Sequence, residues 1–351
     1  MLNTLSRRTL VGSLAFTPIL AACGGAPPGS TQLANGLEKD LVLYSARKEE
    51  LFTPTLKLFE QKTGVKVTVK SGATGELALL IEQEKTSPRG DIYFTTDAGD
   101  ANSLRERTLL DPYKSTGADK IPAEFKAPDG TWTGVIGRSR NILANTNVLT
   151  AADMPRSVLE LTSARWKDKV AIASIREGGV RLWLASLIAT RGEDFAVKFV
   201  SDLKSNGLKV LANHTEVTNA VVRGELPLGL TNHYYYVAKK REGAPVHLIY
   251  PDQGTGEMGT LVTPLAVSII RGARNPKAAR AFVDFLLSPE GVQPMTAQEQ
   301  EFPLTPGTPL GDAAVSGVKP ISEIKRPSVD FVKVAGAQKR AVDIFTPLLT
   351  G

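Results

Sequence analysis

Leu41-Val42-Leu43-Tyr44-Ser45-Ala46-Arg47-Lys48-Glu49-Glu50 decides the fold. Four apolar residues make a short buried strand. Ser45 is placed to cap a following helix, and Glu49 and Glu50 favour the positive end of its dipole. Leu51, Leu56 and Phe59 supply that helix with a buried stripe up to about Lys62, and Gly64 ends it. Val65, Val67 and Val69 then alternate as a second strand. Gly72 to Gly75 is a turn, Leu77, Leu80 and Ile81 mark a second helix, and Gly90-Asp91-Ile92-Tyr93-Phe94 is a third strand. This β-α-β-α-β order predicts a mostly parallel sheet with helices on both faces.

The same rhythm returns after about Gly137. Val170–Ala173, Lys209–Leu211 and Leu228–Leu230 read as strands, separated by helices over Gly179–Thr190 and Glu216–Arg223. Leu261-Val262 and Leu265–Ile270 read as two further strands, and Asn275–Leu287 as an amphipathic helix. The chain is therefore expected to be α/β with two lobes of similar design. Open sheets of this kind bind ligands beyond the C-terminal ends of their strands. Ser45–Lys48, Thr95–Asp97, Ser174–Gly179 and Thr231–Tyr236 are the segments so placed.

The 351 residues are 42% hydrophobic and 22% charged, a globular composition that excludes disordered and collagen-like chains. The net charge is +6, two fewer once Arg7 and Arg8 are removed with an export segment. That balance favours anionic partners only weakly. The absence of a basic cluster interleaved with aromatics argues against nucleic acid. Residues 1–22 read as an export signal, with Arg7-Arg8 ahead of the apolar run Leu10–Leu20. Ser6-Arg7-Arg8-Thr9-Leu10-Val11 resembles a twin-arginine signal. Leu20-Ala21-Ala22-Cys23 resembles the lipobox of bacterial lipoproteins, so Cys23, the single cysteine, is the expected lipid anchor. Residues 23–38 form the tether. The expected product is exported to the periplasmic or cell-surface face and held on a bacterial membrane by lipid.

The three histidines, His214, His233 and His247, fit no hydrolase or metalloprotease motif, and no phosphate-binding loop is present. An enzyme is not expected. The chemistry concentrates in Asn232-His233-Tyr234-Tyr235-Tyr236, which holds three of the seven tyrosines directly after a strand. Phenolate is a hard donor for a hard cation such as ferric ion. The same rings could instead stack on an organic ligand, and the residues alone leave both open.

From about Leu41 to Pro306 the chain resembles the ferric-ion-binding substrate-binding proteins of bacterial ABC importers, within the two-lobed periplasmic binding proteins. The segments that carry this are Leu43–Glu49, Gly90–Ile92 with Thr96–Gly99, Gly137–Arg140, Arg165–Val170, Asn232–Tyr235, Ala281–Gly291 and Phe302–Leu304. The resemblance implies a cleft between lobes, each lobe a mixed, mostly parallel sheet flanked by helices. It implies an N-lobe of 39–137 plus about 262–306 and a C-lobe of about 138–261 plus 307–351. Tyr234 and Tyr235 match the family's tyrosine pair. Elsewhere the chain departs: Lys48 stands where some members have a histidine, and Thr96 beside Asp97 at a carboxylate position. The remaining ferric ligands would come from Asp97, Glu177, Glu49 or a synergistic anion such as carbonate.

Arg47, Lys48, Arg138, Arg140 and Arg176 lie near the expected cleft. Guanidinium forks grip carboxylates and phosphates, and Arg47, Arg138 and Arg176 are the anion-binding candidates. The alternative cargo is accordingly a small organic phosphate, phosphonate or carboxylate. His233 is expected to be a structural neighbour of the tyrosines, and His214 to have no role. The expected partners are the cargo and a membrane permease, with the protein itself a monomer.

Overall fold

The computed structural model describes residues 32–310 and 315–350, which fall within one compact unit. The export segment 1–22, Cys23 and the first part of the 23–38 tether lie outside the described residues.

The chain opens with β1 (Asp40–Ser45), α1 (Glu49–Thr63), β2 (Lys66–Ser71), α2 (Thr74–Gln83), β3 (Ile92–Thr95), α3 (Ala98–Glu106) and β4 (Leu110–Asp111). Next come β5 (Thr133–Asn145), β6 (Val170–Ala173), α4 (Gly178–Arg191), α5 (Glu193–Ser205), β7 (Lys209–Leu211) and α6 (His214–Val222). It ends with β8 (Leu228–Asn232), α7 (His233–Arg241), β9 (Val246–Ile249), β10 (Val262–Ile270), α8 (Pro276–Leu286), α9 (Pro289–Thr296), β11 (Phe302–Pro303) and α10 (Phe331–Thr350).

The opening segment folds as its pattern dictates. Leu41 and Leu43 are fully buried in β1, and α1 stops at Gly64, whose φ of 76° lets its N–H return to Glu60. The cap differs from expectation. Lys48, not Ser45, precedes the first helical residue. The Ser45 hydroxyl instead accepts the Arg47 N–H at 3.2 Å, turning the chain before α1 begins.

The strand order is β2-β1-β3-β10-β5-β8-β6-β7, with β4 on β10 and both β9 and β11 on β5. Parallel pairing is confined to β2-β1-β3 and to β8-β6-β7, the two βαβ parts. β10 and β5 pair antiparallel with every strand they meet. β10 is one strand where the sequence suggests two, because its register slips between Leu265 and Ala266, just after Pro264, which has no N–H to donate.

β5 joins the two strand groups. Its first half, Thr133–Ser139, pairs with β10, and its second half, Arg140–Asn145, pairs with β8 and β9. Nearly all of its 13 residues are buried, so it shows no polar–apolar alternation. The helix α10 packs on α3, α4 and α5, again touching elements from both strand groups. None of the helices among the described residues is long and apolar enough to cross a membrane.

Candidate functional site

The tyrosines sit where β8 ends. Every residue of β8 is buried, and α7 starts directly after Asn232, so Tyr234 and Tyr235 occupy the first turn of α7. His233 pins that turn. Its ring is fully buried, Nδ1 accepts the Ser139 N–H at 3.2 Å, and Nε2 lies 3.0 Å from the Gln300 carbonyl. One nitrogen must accept and the other donate, which fixes the neutral Nε2–H tautomer. Burial pulls its pKa down to about 4, consistent with that neutral form. The ring also stacks on Phe302 at 4.4 Å. His233 is thus a structural anchor, as expected.

With α7 so fixed, the rings of Tyr234 and Tyr235 lie 4.6 Å apart, tilted 33° to each other. The Asn232 side-chain amide donates to the Tyr234 hydroxyl at 3.2 Å. Burial, then the neighbouring Tyr234, holds the Tyr235 phenol above the ordinary range. The Arg138 guanidinium lies over the Tyr234 ring, 5.1 Å from its centroid.

Tyr234 and Arg138 line two adjoining cavities. The first, about 480 Å³, also takes in Asp97, Asp100, Arg140, Glu177, Arg181 and His214. The second, about 640 Å³, also takes in Arg47, Lys48, Tyr235, Arg241 and Glu299. Among the described residues, no three His, Cys, Asp or Glu gather as a metal site. A cation held here would therefore have to recruit the phenols.

The arginines divide by partner. Arg47 is fully buried and spent: it pairs with Glu301 at 2.6 Å and donates to the Met295 carbonyl at 2.8 Å. Glu301 is equally buried and binds Arg138 through its other oxygen at 2.5 Å. Burial would raise the Glu301 carboxyl, but Arg138 and Arg47 together hold it below its ordinary value. Arg176 is exposed and lines neither cavity.

Arg140 is a buried cation without an ion pair among the described residues. Its Nε has no hydrogen-bond partner among them. Its contacts are His214 Nε2 at 3.2 Å and the Leu230 carbonyl at 3.3 Å. Burial lowers its pKa to about 10 despite the pull of Tyr234, Tyr235 and Glu177. His214, pressed by burial and by Arg140, is driven down to about 2 and is neutral, so its Nε2 can accept from the guanidinium. A buried guanidinium with no counter-charge is costly and marks a place for an anion. Gly179, on the first turn of α4, faces the same spot. A Cβ there would come within 3.2 Å of Asn232, 3.3 Å of His214 and 3.5 Å of Arg140.

The acids differ in how free they are. Asp97 caps α3 by accepting the Gly99 N–H at 2.7 Å. Its two oxygens also receive the Gln338 amide at 3.2 and 3.1 Å, and the same amide accepts from Arg181 at 3.0 Å. Burial raises the Asp97 carboxyl, against the opposing hydrogen bond and Arg181. Asp100, half-buried beside Asp97, is raised to about 6 by desolvation and then by the Asp97 charge. Glu177 lies at the start of α4 on the first cavity. Glu299 is raised by burial and by Glu301.

The structure brings Tyr234, Arg138, Asp97 and Glu177 around one cavity, and Tyr235 and Arg47 around the other, while Cys23 lies outside the described residues. His214, Arg181 and Glu299 line the cavities without having been singled out from sequence. An unmatched histidine was the only signal for His214.

The sequence model of the family described as bacterial extracellular solute-binding protein matches residues 91–333. The major ferric iron-binding protein of Neisseria meningitidis serogroup B is 27% identical over 303 residues, covering 84% of this chain and 89% of that protein. The Trichodesmium protein IdiA (FutA), solved with iron and citrate, superposes with a TM-score of 0.79 at 26% identity, over 88% of this chain and 99% of that one. AfuA of Actinobacillus pleuropneumoniae, solved with fructose-6-phosphate, gives 0.71 at 25%, over 89% and 99%. The fold is that of the two-lobed periplasmic binding proteins.

Proposed function

The chain belongs to the bacterial extracellular solute-binding proteins, and from that premise we propose that it captures ferric iron for an ABC importer. The observation that carries this is the Tyr234–Tyr235 pair, two phenol rings 4.6 Å apart that line the cavities shared with the guanidiniums of Arg138 and Arg140. Ferric ion would bind as each phenol gives up its proton, two phenols forming two Fe–O bonds and releasing two protons. Arg138 and Arg140 stabilise the resulting negative charge. Glu177, a first-cavity carboxylate without an ion pair among the described residues, would join them, and Asp97 only by releasing Gln338. A carbonate-sized synergistic anion would sit against Arg140, His214 and the first turn of α4. The iron-bound relatives support this reading.

We place the lobes at 39–137 with 262–306 and at 138–261 with 307–351, the division falling inside β5. Cargo would draw them together, and the closed form would dock on the permease. Cys23 would hold the protein on the membrane as a lipoprotein after twin-arginine export, as a monomer whose role involves no turnover.

A second reading is favoured by Arg140 alone: the cargo is a small organic phosphate, phosphonate or carboxylate bound to that guanidinium. Titrating the purified protein with ferric citrate, with and without bicarbonate, separates the two. The ferric reading expects a broad visible tyrosinate-to-iron band that is absent in Tyr234→Phe/Tyr235→Phe. No band, with no mass gain in native mass spectrometry, would sink it in favour of the organic anion.

A further inference from the structure

Resting on the reading that an anion, cargo or synergistic, sits at Arg140, we infer that Arg181 is a second guanidinium on that anion, aimed by Gln338, so that the site takes a phosphate-type group in preference to a single carboxylate. Arg181 lies in the first turn of α4 and lines the first cavity with Arg140. Its Nε donates to Gln338 Oε1 at 3.0 Å. Among the described residues its two terminal nitrogens meet no acceptor, and no carboxylate pairs with it. The two glycines that open α4 show where the guanidiniums lie. A Cβ on Gly178 would stand 3.7 Å from a terminal nitrogen of Arg181, and one on Gly179 would stand 3.5 Å from a terminal nitrogen of Arg140. Consecutive Cα atoms are about 3.8 Å apart, so both guanidiniums approach one short stretch of bare backbone. That stretch is the helix start. Its first N–H groups have no intrahelical acceptor, and Glu177, at the cap position, does not bond them with its side chain.

Gln338 gives Arg181 its aim. Its Oε1 accepts from Arg181 and its amide nitrogen donates to both Asp97 oxygens, at 3.2 and 3.1 Å, so the amide fits one way round only. The space for it is built in: a Cβ on Gly99 would fall 2.2 Å from that nitrogen. An amide set between Asp97 and Arg181 keeps the two from closing into an ion pair and leaves the terminal nitrogens to the cavity. Burial pushes the Asp97 and Asp100 carboxyls toward their neutral forms, which weakens their hold on Arg181. Glu177, one residue before the glycines, forms an ion pair with neither guanidinium among the described residues. Donors arriving from Arg140, from Arg181 and from the start of α4 call for at least three terminal oxygens. A phosphate ester or a phosphonate supplies three, the ester with a charge of about −1.5 to −2. A single carboxylate supplies two oxygens and one charge.

The test is isothermal titration of the purified, iron-free protein with inorganic phosphate, methylphosphonate and acetate. It is run on wild type, Arg181→Gln, Arg140→Gln, Gln338→Ala and Arg176→Gln, with melting temperatures measured on each. Wild type should bind phosphate and methylphosphonate more tightly than acetate. Arg181→Gln should lose at least about tenfold in phosphate affinity, the worth of one charge-assisted hydrogen bond, and its preference for phosphate over acetate should shrink. Gln338→Ala should shrink the same preference, because Arg181 loses its aim. Arg176→Gln removes an equal charge from an exposed residue that lines neither cavity, and should stay within about twofold of wild type. Phosphate affinity within about twofold of wild type in Arg181→Gln, with binding lost in Arg140→Gln, would overturn the Arg181 role and leave the anion at Arg140 standing. An equal loss in Arg176→Gln would reduce the effect to net charge and overturn it as well. An unchanged preference in Gln338→Ala would overturn the aiming role. No phosphate binding in the wild type would bring down both the anion at Arg140 and its second guanidinium.

Discussion

Glu301→Gln tests the buried triad that supports the site. Glu301 and Arg47 have no exposed side-chain surface, and Arg138 is only 18% exposed. Glutamine keeps the shape and one acceptor but removes the charge that two guanidiniums share. Removing one partner of a buried ion pair costs about 3–5 kcal/mol, because the other charge stays buried without compensation. The compact unit spans Gln32–Gly351. At roughly 2.1 cal/mol/K per residue, its unfolding entropy converts that loss into a Tm drop of about 4–7 °C. Arg138 keeps Glu299 as a second neighbour, so most of the loss falls on Arg47. Replacing Arg47 as well, as Arg47→Met/Glu301→Leu, should therefore recover part of the drop even though more polar groups are gone. The sign with pH follows from the Glu301 carboxyl being held below its ordinary value. Its contribution is fully present above the unfolded pKa of about 4.3 and is lost as pH falls through the folded value. The gap between wild type and variant should narrow between pH 7 and pH 3. Differential scanning calorimetry across that range reads both effects. A Glu301→Gln variant melting within about 1 °C of wild type at pH 7, or a gap that does not change on acidification, would refute the reasoning.

His214 should make the protein acid-sensitive. Its folded pKa of about 2 lies far below the ordinary 6.5, so its contribution is present above pH 6.5 and lost as pH falls toward 2. In urea unfolding between pH 6 and pH 4, His214→Asn should flatten the slope of stability against pH by up to about 1.4 kcal/mol per pH unit, and equal slopes would contradict the assignment. Gly179→Ala should weaken ferric citrate binding about tenfold by placing a methyl against Asn232 and His214, while the gain of up to about 1 kcal/mol in helix propensity keeps the Tm unchanged or higher. Binding within twofold of wild type would remove that spot from the site.

How far the fold could be read from sequence depends on where each residue finds its partner. The run from β1 to β3 was legible because its strands are short apolar runs closed by local signals such as Gly64. β5 was not. Its Arg138, Ser139, Arg140 and Asn141 look like loop residues until their partners are seen. Asn141 donates to the Ile249 carbonyl, Arg140 reaches His214 and Leu230, and Arg138 reaches Glu301, partners 74 to 163 residues away. The tyrosine pair was legible as a cluster. Arg47 looked like an anion ligand only because Glu301, 254 positions later, could not be foreseen as its counter-ion.

The placement of β5 also explains why the site combines opposite charges. Residues two apart on a strand share a face, so Arg138 and Arg140 both reach the first cavity, at the point where pairing passes from β10 to β8. The oxygen donors come from elements on either side: Tyr234 and Tyr235 on α7 beside β8, Asp97 at the start of α3 beside β3, and Glu299 just before β11. A hinge through β5 would leave the guanidiniums nearly still while the phenols and carboxylates swing toward each other. Carboxylates brought together around an empty cleft repel, whereas a bound ferric ion would neutralise them. Closure would then be favourable only with cargo in place. On the proposed ferric reading, Arg140 would set how easily the empty protein closes, and the phenols what it closes upon.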